Sequence, residues 1–180
     1  MNLWHDIETG PKAPHVVNVV VEIPRGAQNK YEFDRKLNII RLDRVLFSPL
    51  HYPGDYGIIP RTLAPDGDPL DAMVLVTYPN FPGVLIEAKP IGIFRMVDSN
   101  TDDSKILCVP VDDVRLSHYR DIRDLPQHIL KEISHFFEVY KELEDKKVRI
   151  LGWEGAVKAK KAITEAAKKY RNAYADRRRG

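Results

Sequence analysis

The chain has 180 residues, 43% hydrophobic and 30% charged, with a formal net charge of +2, which predicts one globular domain over residues 1–180. No apolar run approaches the roughly 20 residues of a membrane helix, and the first residues lack the basic and apolar parts of a signal peptide. The single cysteine, Cys108, excludes an intrachain disulfide. We therefore expect a cytoplasmic protein.

The charge is unevenly distributed. Nine Lys or Arg and two Asp or Glu between Val157 and Gly180 give this end a charge of +7, which leaves −5 on residues 1–156. Because a DNA-binding body is expected to be basic, this distribution argues against one.

Short strands are predicted over the first two thirds of the chain. The first is HVVNVVVEIP, where strict alternation would place Val17, Val19, Val21 and Ile23 on one apolar face and Glu22 on the other. A hairpin is predicted by KYEFD and NIIRLDRVL, which flank a polar turn. Further strands are predicted in YGIIPRTL, AMVLVTYP, VLIEAKPIGIFRMV and KILCVPV, and such a series is typical of a barrel or sandwich.

The hydrophobic period changes in the last third. A helix is predicted in LPQHILKEISHFFEVYKELED, where apolar side chains recur at helical spacing. On this helix Tyr140 would continue the apolar stripe, and Lys141 would pair with Glu138 or Glu144. A short strand is predicted in KKVRILGW, and a terminal helix from Glu154 onward.

Two acidic clusters lie beside the predicted strands. One is Asp66, Asp68 and Asp71, directly before an apolar run, and the other is Asp98, Asp102 and Asp103. Like charges this close repel one another, so either these loops are fully solvated or a cation binds there. Taken singly, the second cluster fits an ordinary polar hairpin loop.

The spacing of the first cluster matches other known aspartate motifs poorly. An EF-hand loop starting at Asp66 needs Gly at its sixth position and Glu at its twelfth, where this chain has Asp71 and Thr77. An aspartyl-phosphate nucleophile usually ends an apolar strand, whereas Pro65 precedes Asp66, and a nucleotide-sugar DxD motif is only weakly supported. The remaining interpretation is oxygen ligation of a hard cation such as Mg²⁺, completed by substrate phosphate.

The motif DGDPLDAMV, together with NKYEFD, LDRVLFSPLHYPGDYGIIP, KPIGIFRMVDS and ISHFFEVYKELE, resembles the soluble family I inorganic pyrophosphatases of the short prokaryotic type. The resemblance implies an α+β, mainly β fold: a five-stranded OB-like β-barrel with additional short strands and two helices in the C-terminal third. It also implies Mg²⁺-dependent hydrolysis of inorganic pyrophosphate to two phosphates, in which a metal-activated water attacks in line.

The resemblance also assigns metal ligands. Several Mg²⁺ ions per site are implied, with Mn²⁺ or Zn²⁺ as substitutes and Ca²⁺ as an inhibitor. The implied ligands are Asp66, Asp71, Asp98, Asp103 and Glu32, with Asp71 bridging two ions.

Further roles follow from the same resemblance. Asp68 would be the general base, and Glu22 and Tyr52 would lie in the outer shell of the site. The phosphates would be bound by Lys30, Arg44, Tyr56, Lys105, Tyr140 and Lys141.

The implied partners are pyrophosphate, phosphate and further copies of the chain, typically in a hexamer, with no nucleic acid and no membrane. Two rival classes remain open. A nucleic-acid-binding barrel would need a basic face with exposed aromatic residues, whereas the candidate face here is acidic. A Mg²⁺-dependent phosphohydrolase acting on nucleotides would need a base-binding platform, and none is obvious.

Overall fold

A computed structural model describes residues 1–175 of the chain. The strands are β1 (Val17–Ile23), β2 (Asn29–Asp34), β3 (Ile39–Val45), β4 (Asp55–Ile59), β5 (Leu70–Val74), β6 (Leu85–Asp98), β7 (Thr101–Asp102), β8 (Lys105–Pro110) and β9 (Val148–Gly155). The helices are α1 (Gln127–Val139) and α2 (Ala156–Ala173), with short 3₁₀ turns at Ile122–Asp124 and Glu142–Glu144.

Five strands close into a ring of pairings. β1 pairs with β4, β4 with β5, β5 with β8, β8 with β6, and β6 again with β1, and the β5–β8 pair is parallel. β6 also pairs with β7 and β9, which extend the sheet. The mainly β fold with an OB-like ring and two C-terminal helices is confirmed.

The long strand β6 pairs with four other strands, β1, β7, β8 and β9, and bulges interrupt its ladders. Its register with β8 shifts between Pro90 and Gly92, and its register with β9 shifts between Arg95 and Met96. Proline has no N–H to donate to a ladder, so a bulge is where a strand tolerates it. These irregularities bend β6 around the ring.

The predicted hairpin is confirmed as a separate two-stranded sheet of β2 and β3. Lys30 pairs with Arg44, and a register shift follows between Lys30 and Tyr31. This hairpin stands beside the ring and contacts it through β1.

Both predicted helices are confirmed, and each buries one face. α1 buries Leu130, Ile133, Phe136 and Phe137, and α2 packs against β6. α1 is shorter than predicted, because the chain leaves the helix after Val139 and reverses at Asp145, whose φ is +56°. Within residues 1–175, neither helix has the length and apolar content needed to cross a membrane.

One predicted face of β1 is wrong. Val17, Val19 and Val21 pack in the cluster that contains Ile163 of α2, but Ile23 packs in the cluster that contains Phe136 of α1. The register of β1 with β4 shifts between Val21 and Ile23, so the alternation is interrupted there. A β-bulge changes the face of the residues that follow it, which strict alternation does not anticipate.

Candidate active site

A cleft of about 670 Å³ opens between the β2–β3 hairpin, the loop before β5, the end of β6 and the end of α1. Most of the predicted site residues line it: Glu22, Lys30, Glu32, Tyr56, Asp66, Asp68, Asp71, Asp98, Asp103, Lys105, Tyr140 and Lys141. Arg44 and Tyr52 do not line it.

The loop before β5 is a tight turn that carries Asp66 and Asp68. Gly67 has φ +90°, a value that glycine adopts without steric cost, and its N–H donates to Ala64 O at 3.1 Å. The backbone N–H of Asp68 donates to Asp66 Oδ1 at 2.9 Å. Asp71 then lies inside β5, opposite Ile58 of β4, so the barrel fixes its position.

Lys105 and Tyr56 converge on Asp71. Lys105 Nζ lies 2.6 Å from Asp71 Oδ2 and 2.5 Å from Asp103 Oδ1, and the Tyr56 hydroxyl donates to Asp71 Oδ2 at 2.5 Å. Burial alone would lower the pKa of Lys105, but Asp71 and Asp103 raise it above its usual value. Burial, followed by the charge of Asp71, raises the pKa of Tyr56, so both groups are fully protonated at neutral pH.

A second ion pair joins the end of β6 to the end of α1. Lys141 Nζ contacts Asp98 Oδ2, so the alternative pairing of Lys141 with Glu138 or Glu144 is wrong. Burial opposes ionisation of Asp98, but the hydrogen bond and charge of Lys141, the hydrogen bond from Ser99 and the charge of Lys105 together outweigh it and lower the pKa of Asp98. Tyr140, beside Lys141, is buried, and burial raises the pKa of its hydroxyl.

On the hairpin, Lys30 and Arg44 share Asp43. Lys30 Nζ lies 3.0 Å from Glu32 Oε2 and 3.0 Å from Asp43 Oδ2, and Arg44 Nη1 lies 2.5 Å from the same Asp43 oxygen. Arg44 Nε also donates to Glu144 Oε1 at 2.9 Å. Asp43 therefore links Arg44 to Lys30, which lines the cleft, and within residues 1–175 the buried Nη2 of Arg44 has no hydrogen-bond acceptor.

Tyr52 lies behind the cleft wall. Its side chain is buried, and its ring centroid lies 5.7 Å from that of Tyr56 and 4.8 Å from that of Phe136. It therefore contacts the lining residue Tyr56 rather than the cleft itself.

Glu22 is a buried acid at the floor of the cleft. Its Oε1 accepts a hydrogen bond from the backbone N–H of Phe33 at 2.6 Å. Burial, and then the charge of Asp71, raise the pKa of Glu22 from 4.5 to about 8. Burial likewise raises the pKa of Asp103, against the opposing effect of Lys105, and Asp71 adds to the rise.

The donor set of the cleft fits hard divalent cations. Within residues 1–175, no group of three or more His, Cys, Asp or Glu side chains is arranged to hold a metal ion, and lysines lie among the carboxylates. Even so, Asp71 and Asp103 converge on one cation, the ammonium of Lys105. Carboxylate oxygens at the edge of an open cleft are the ligands that Mg²⁺ prefers.

Comparison with known proteins agrees with this chemistry. The family described as "Inorganic pyrophosphatase" matches residues 19–171. The chain belongs to the inorganic pyrophosphatase family. The match includes every residue that the sequence resemblance assigned to the site.

Individual relatives of this family are similar over nearly their whole length. The inorganic pyrophosphatase of Picrophilus torridus is 47% identical over 171 residues, 95% of this chain and 97% of its own. That of Geobacillus stearothermophilus is 52% identical over 155 residues, 86% of this chain and 94% of its own. The crystal structure of the Thermus thermophilus inorganic pyrophosphatase has a TM-score of 0.92 and 46% identity, and it covers 95% of this chain and 99% of that chain.

Three charged neighbours of the site were not predicted from the sequence. Asp43 bridges Lys30 and Arg44, Glu144 pairs with Arg44, and Arg35 pairs with Asp68. The predicted hairpin places Asp43 next to Arg44 and near Lys30 on the opposite strand, so the sequence pattern could have predicted the contact of Asp43 with both residues. Glu144 and Arg35 meet their partners across 100 and 33 residues, and no local pattern reports such contacts.

Proposed function

We propose that the cleft hydrolyses inorganic pyrophosphate with divalent metal ions, Mg²⁺ first among them, held by its carboxylates. The reaction is that of the family, so the protein is an inorganic diphosphatase that splits pyrophosphate into two phosphates. The observation that carries the proposal is the convergence of two acidic clusters and several basic side chains on one cleft.

The metal ligands in this proposal are five acidic residues. When bound, the ions would neutralise phosphate oxygens and lower the pKa of water, which makes a nucleophile at neutral pH. Oxygen donors at different depths of the cleft would allow several ions per site. The proposed ligands are Asp66, Asp71, Asp98, Asp103 and Glu32.

Asp68 is proposed as the general base. Its side chain is 52% exposed, so the carboxylate is accessible from the cleft. Burial of the other part raises the pKa of Asp68 against the opposing effect of Arg35, with Asp66 and Asp71 adding to the rise. A raised pKa brings a carboxylate closer to the range in which a base accepts a proton efficiently.

The basic side chains and tyrosines are proposed to bind the phosphates. Lys30 would contact the phosphate that is attacked, while Arg44, Tyr140 and Lys141 would hold the phosphate that leaves. Arg44 does not line the cleft, and its buried Nη2 has no acceptor within residues 1–175, so binding of a phosphate would require its side chain to turn toward the cleft. Tyr56 and Lys105 fix Asp71, with Glu22 and Tyr52 beneath them.

The choice of metal is a further part of the proposal. Mn²⁺ or Zn²⁺ would replace Mg²⁺, whereas Ca²⁺ would bind the same oxygens at ~2.3–2.6 Å instead of ~2.0–2.1 Å. Longer bonds acidify water less and shift reacting atoms, and a misplacement of about 1 Å can cost about 10²-fold in rate. Ca²⁺ is therefore expected to inhibit when added to a Mg²⁺ assay, and hydrolysis sustained by Ca²⁺ as well as by Mg²⁺ would contradict this.

Assembly and location complete the proposal. We expect one domain over residues 1–180, a homo-oligomer that is typically a hexamer, and a cytoplasmic location. Exposed apolar side chains at Phe47, Tyr78, Phe81 and Val114 would suit burial between copies, because large exposed apolar groups mark contact surfaces. Light scattering of the purified protein tests the oligomer, and a monomer at micromolar concentration would contradict it.

The experiment for the function compares three substrates in Mg²⁺: pyrophosphate, ATP and single-stranded DNA. We expect rapid phosphate release from pyrophosphate, much slower release from ATP and no binding of the DNA. Preferred hydrolysis of ATP would indicate a nucleotide phosphohydrolase, and DNA binding without pyrophosphate hydrolysis would indicate a nucleic-acid-binding barrel.

A further inference from the structure

Arg35, a residue of the cleft lining that was not among the predicted site residues, holds Asp68. Arg35, in the turn after β2, has its Nη1 2.9 Å from Asp68 Oδ1, and the same nitrogen donates to Gly67 O at 3.1 Å. Arg35 therefore contacts both the side chain and the backbone of the acidic loop. Within residues 1–175, the Asp68 carboxylate has no other hydrogen bond or ion pair, so Arg35 is the group that fixes its position.

The guanidinium of Arg35 is itself supported by Trp4. It lies 5.6 Å from the centroid of the Trp4 ring, within the range of a cation–π interaction. Trp4 is 2% exposed, its indole N–H donates to Thr62 O at 2.8 Å, and its carbonyl accepts from Arg61 N at 2.9 Å. Arg61 and Thr62 lead directly into the acidic loop. Trp4 is therefore hydrogen-bonded to the segment before this loop and also contacts Arg35, which in turn contacts the loop itself.

We propose that Arg35 is a positioning residue that orients the Asp68 carboxylate in the cleft and that Trp4 fixes Arg35 for this purpose. The inference rests on the proposed role of Asp68 as general base. A base acts only when it is within hydrogen-bond reach of the proton it accepts, so an unanchored carboxylate on a glycine-containing turn spends less time in the productive position.

If Arg35 acts by orienting Asp68, removal of its charge should lower the catalytic rate while leaving folding stability nearly unchanged. The side chains of Arg35 and Asp68 are 51% and 52% exposed, and half-exposed ion pairs contribute little to folding. Arg35 lines the cleft but is not among the residues proposed to bind the phosphates, so substrate affinity is expected to change little when its charge is removed. The expected consequence is a lower kcat with an almost unchanged KM and melting temperature.

The test is a double-mutant cycle of Arg35→Met and Asp68→Asn, because methionine keeps an apolar stem over Trp4 and removes the charge. Steady-state hydrolysis of pyrophosphate in Mg²⁺ is measured for each protein. We expect Arg35→Met to lower kcat about tenfold, with KM within about twofold and the melting temperature within about 2 °C. In the Asp68→Asn background the same substitution should lower kcat no further, because Arg35 acts through Asp68.

Arg41→Met is the matched control. Arg41 lies on the same hairpin, lines the same cleft and is 52% exposed, but it pairs with Asp34 at 3.1 Å. The kcat of the Arg41→Met variant is expected to stay within about twofold of that of the unmodified protein, since Asp34 has no proposed role in the reaction.

The outcomes distinguish this inference from the proposed function. If Asp68→Asn is strongly impaired and Arg35→Met is not, the inference fails and the function stands. An equal loss from Arg35→Met in both backgrounds also overturns it, because Arg35 would then act independently of Asp68. Full activity of Asp68→Asn would overturn the general-base role itself, and the inference with it.

Discussion

Four aspartates of the cleft, Asp68, Asp71, Asp98 and Asp103, are paired with cations of the chain itself. Lys105 lies between Asp71 and Asp103, Lys141 contacts Asp98, and Arg35 contacts Asp68. These pairs answer the question raised by aspartates that lie so close in sequence, because the repulsion is offset without complete solvation. Divalent ions would compete with the lysines for the same oxygens.

Asp71 and Asp102 provide a comparison within the acidic clusters. Asp71 faces the cleft and contacts Lys105 and Tyr56, whereas Asp102 does not line the cleft and accepts from the N–H and hydroxyl of Ser104. We expect Asp71→Asn to lower kcat for pyrophosphate by about 100-fold or more, because the carboxylate proposed to bridge two metal ions is lost. Asp102→Asn should stay within about threefold. Equal effects in folded proteins would show that the ligand assignment is wrong.

Glu22 should make the stability of the metal-free protein depend on pH. Its pKa is raised to about 8 by burial, and then by Asp71, from the ordinary value of 4.5. Between these two values the folded state retains a proton that the unfolded chain has lost, so folding stability falls as pH rises through this range and then levels off. Glu22→Gln, which stays neutral, should remove this loss.

The measurement is a thermal melt in EDTA at pH 5 and pH 8. Relative to the unmodified protein, Glu22→Gln should melt about 5 °C higher at pH 8 and show a smaller difference at pH 5. The exposed Glu138→Gln serves as the control and should show the same small difference at both pH values. A Glu22→Gln advantage that is larger at pH 5 would contradict the assignment.

At the scale of elements, the ring depends on a close approach of β1 and β4. Gly57 lies opposite Val21, and a Cβ there would stand 1.9 Å from Val20 O. We expect Gly57→Ala to cost about 3 kcal/mol or more in the free energy of unfolding, because backbone of a closed sheet must move. Urea denaturation measures the loss.

Gly83→Ala is the control for that substitution. Gly83 has φ +92°, but nothing lies within 4 Å of a Cβ built on it. Its cost should be about 1 kcal/mol, from backbone strain alone. A Gly57→Ala loss no larger than this would mean that β1 and β4 are not held so closely.

The sequence predicts elements better where periodicity is uninterrupted. The β2–β3 hairpin and both helices follow directly from alternating and helical spacing. The face of Ile23 was mispredicted because a bulge in β1 depends on pairing with β4, which is a tertiary contact. The strand predicted in AMVLVTYP ends early, at Val74. Leu75 and Val76 beyond it are buried in the core without belonging to the strand, so their apolar character did not mark its end.

At the scale of the molecule, ring closure was not derivable from patterns. The β5–β8 and β6–β1 pairings join residues far apart in the chain, and only the family resemblance implied them. For the site, sequence motifs identified the acidic clusters, but the contacts of Arg35 with Asp68 and of Glu144 with Arg44 join residues far apart in the chain and became visible only in the fold. Long-range pairing of charges has no signature in a single sequence.

The central claim is that this cleft hydrolyses pyrophosphate only while divalent cations are held by its carboxylates. The most direct measurement is the rate of phosphate release from pyrophosphate at increasing free Mg²⁺. The titration starts in excess EDTA, where free Mg²⁺ is essentially zero, and ends at millimolar free Mg²⁺. We predict no turnover in EDTA, a rise with Mg²⁺ and full recovery when Mg²⁺ is returned to the chelated protein. Full turnover in excess EDTA would contradict it.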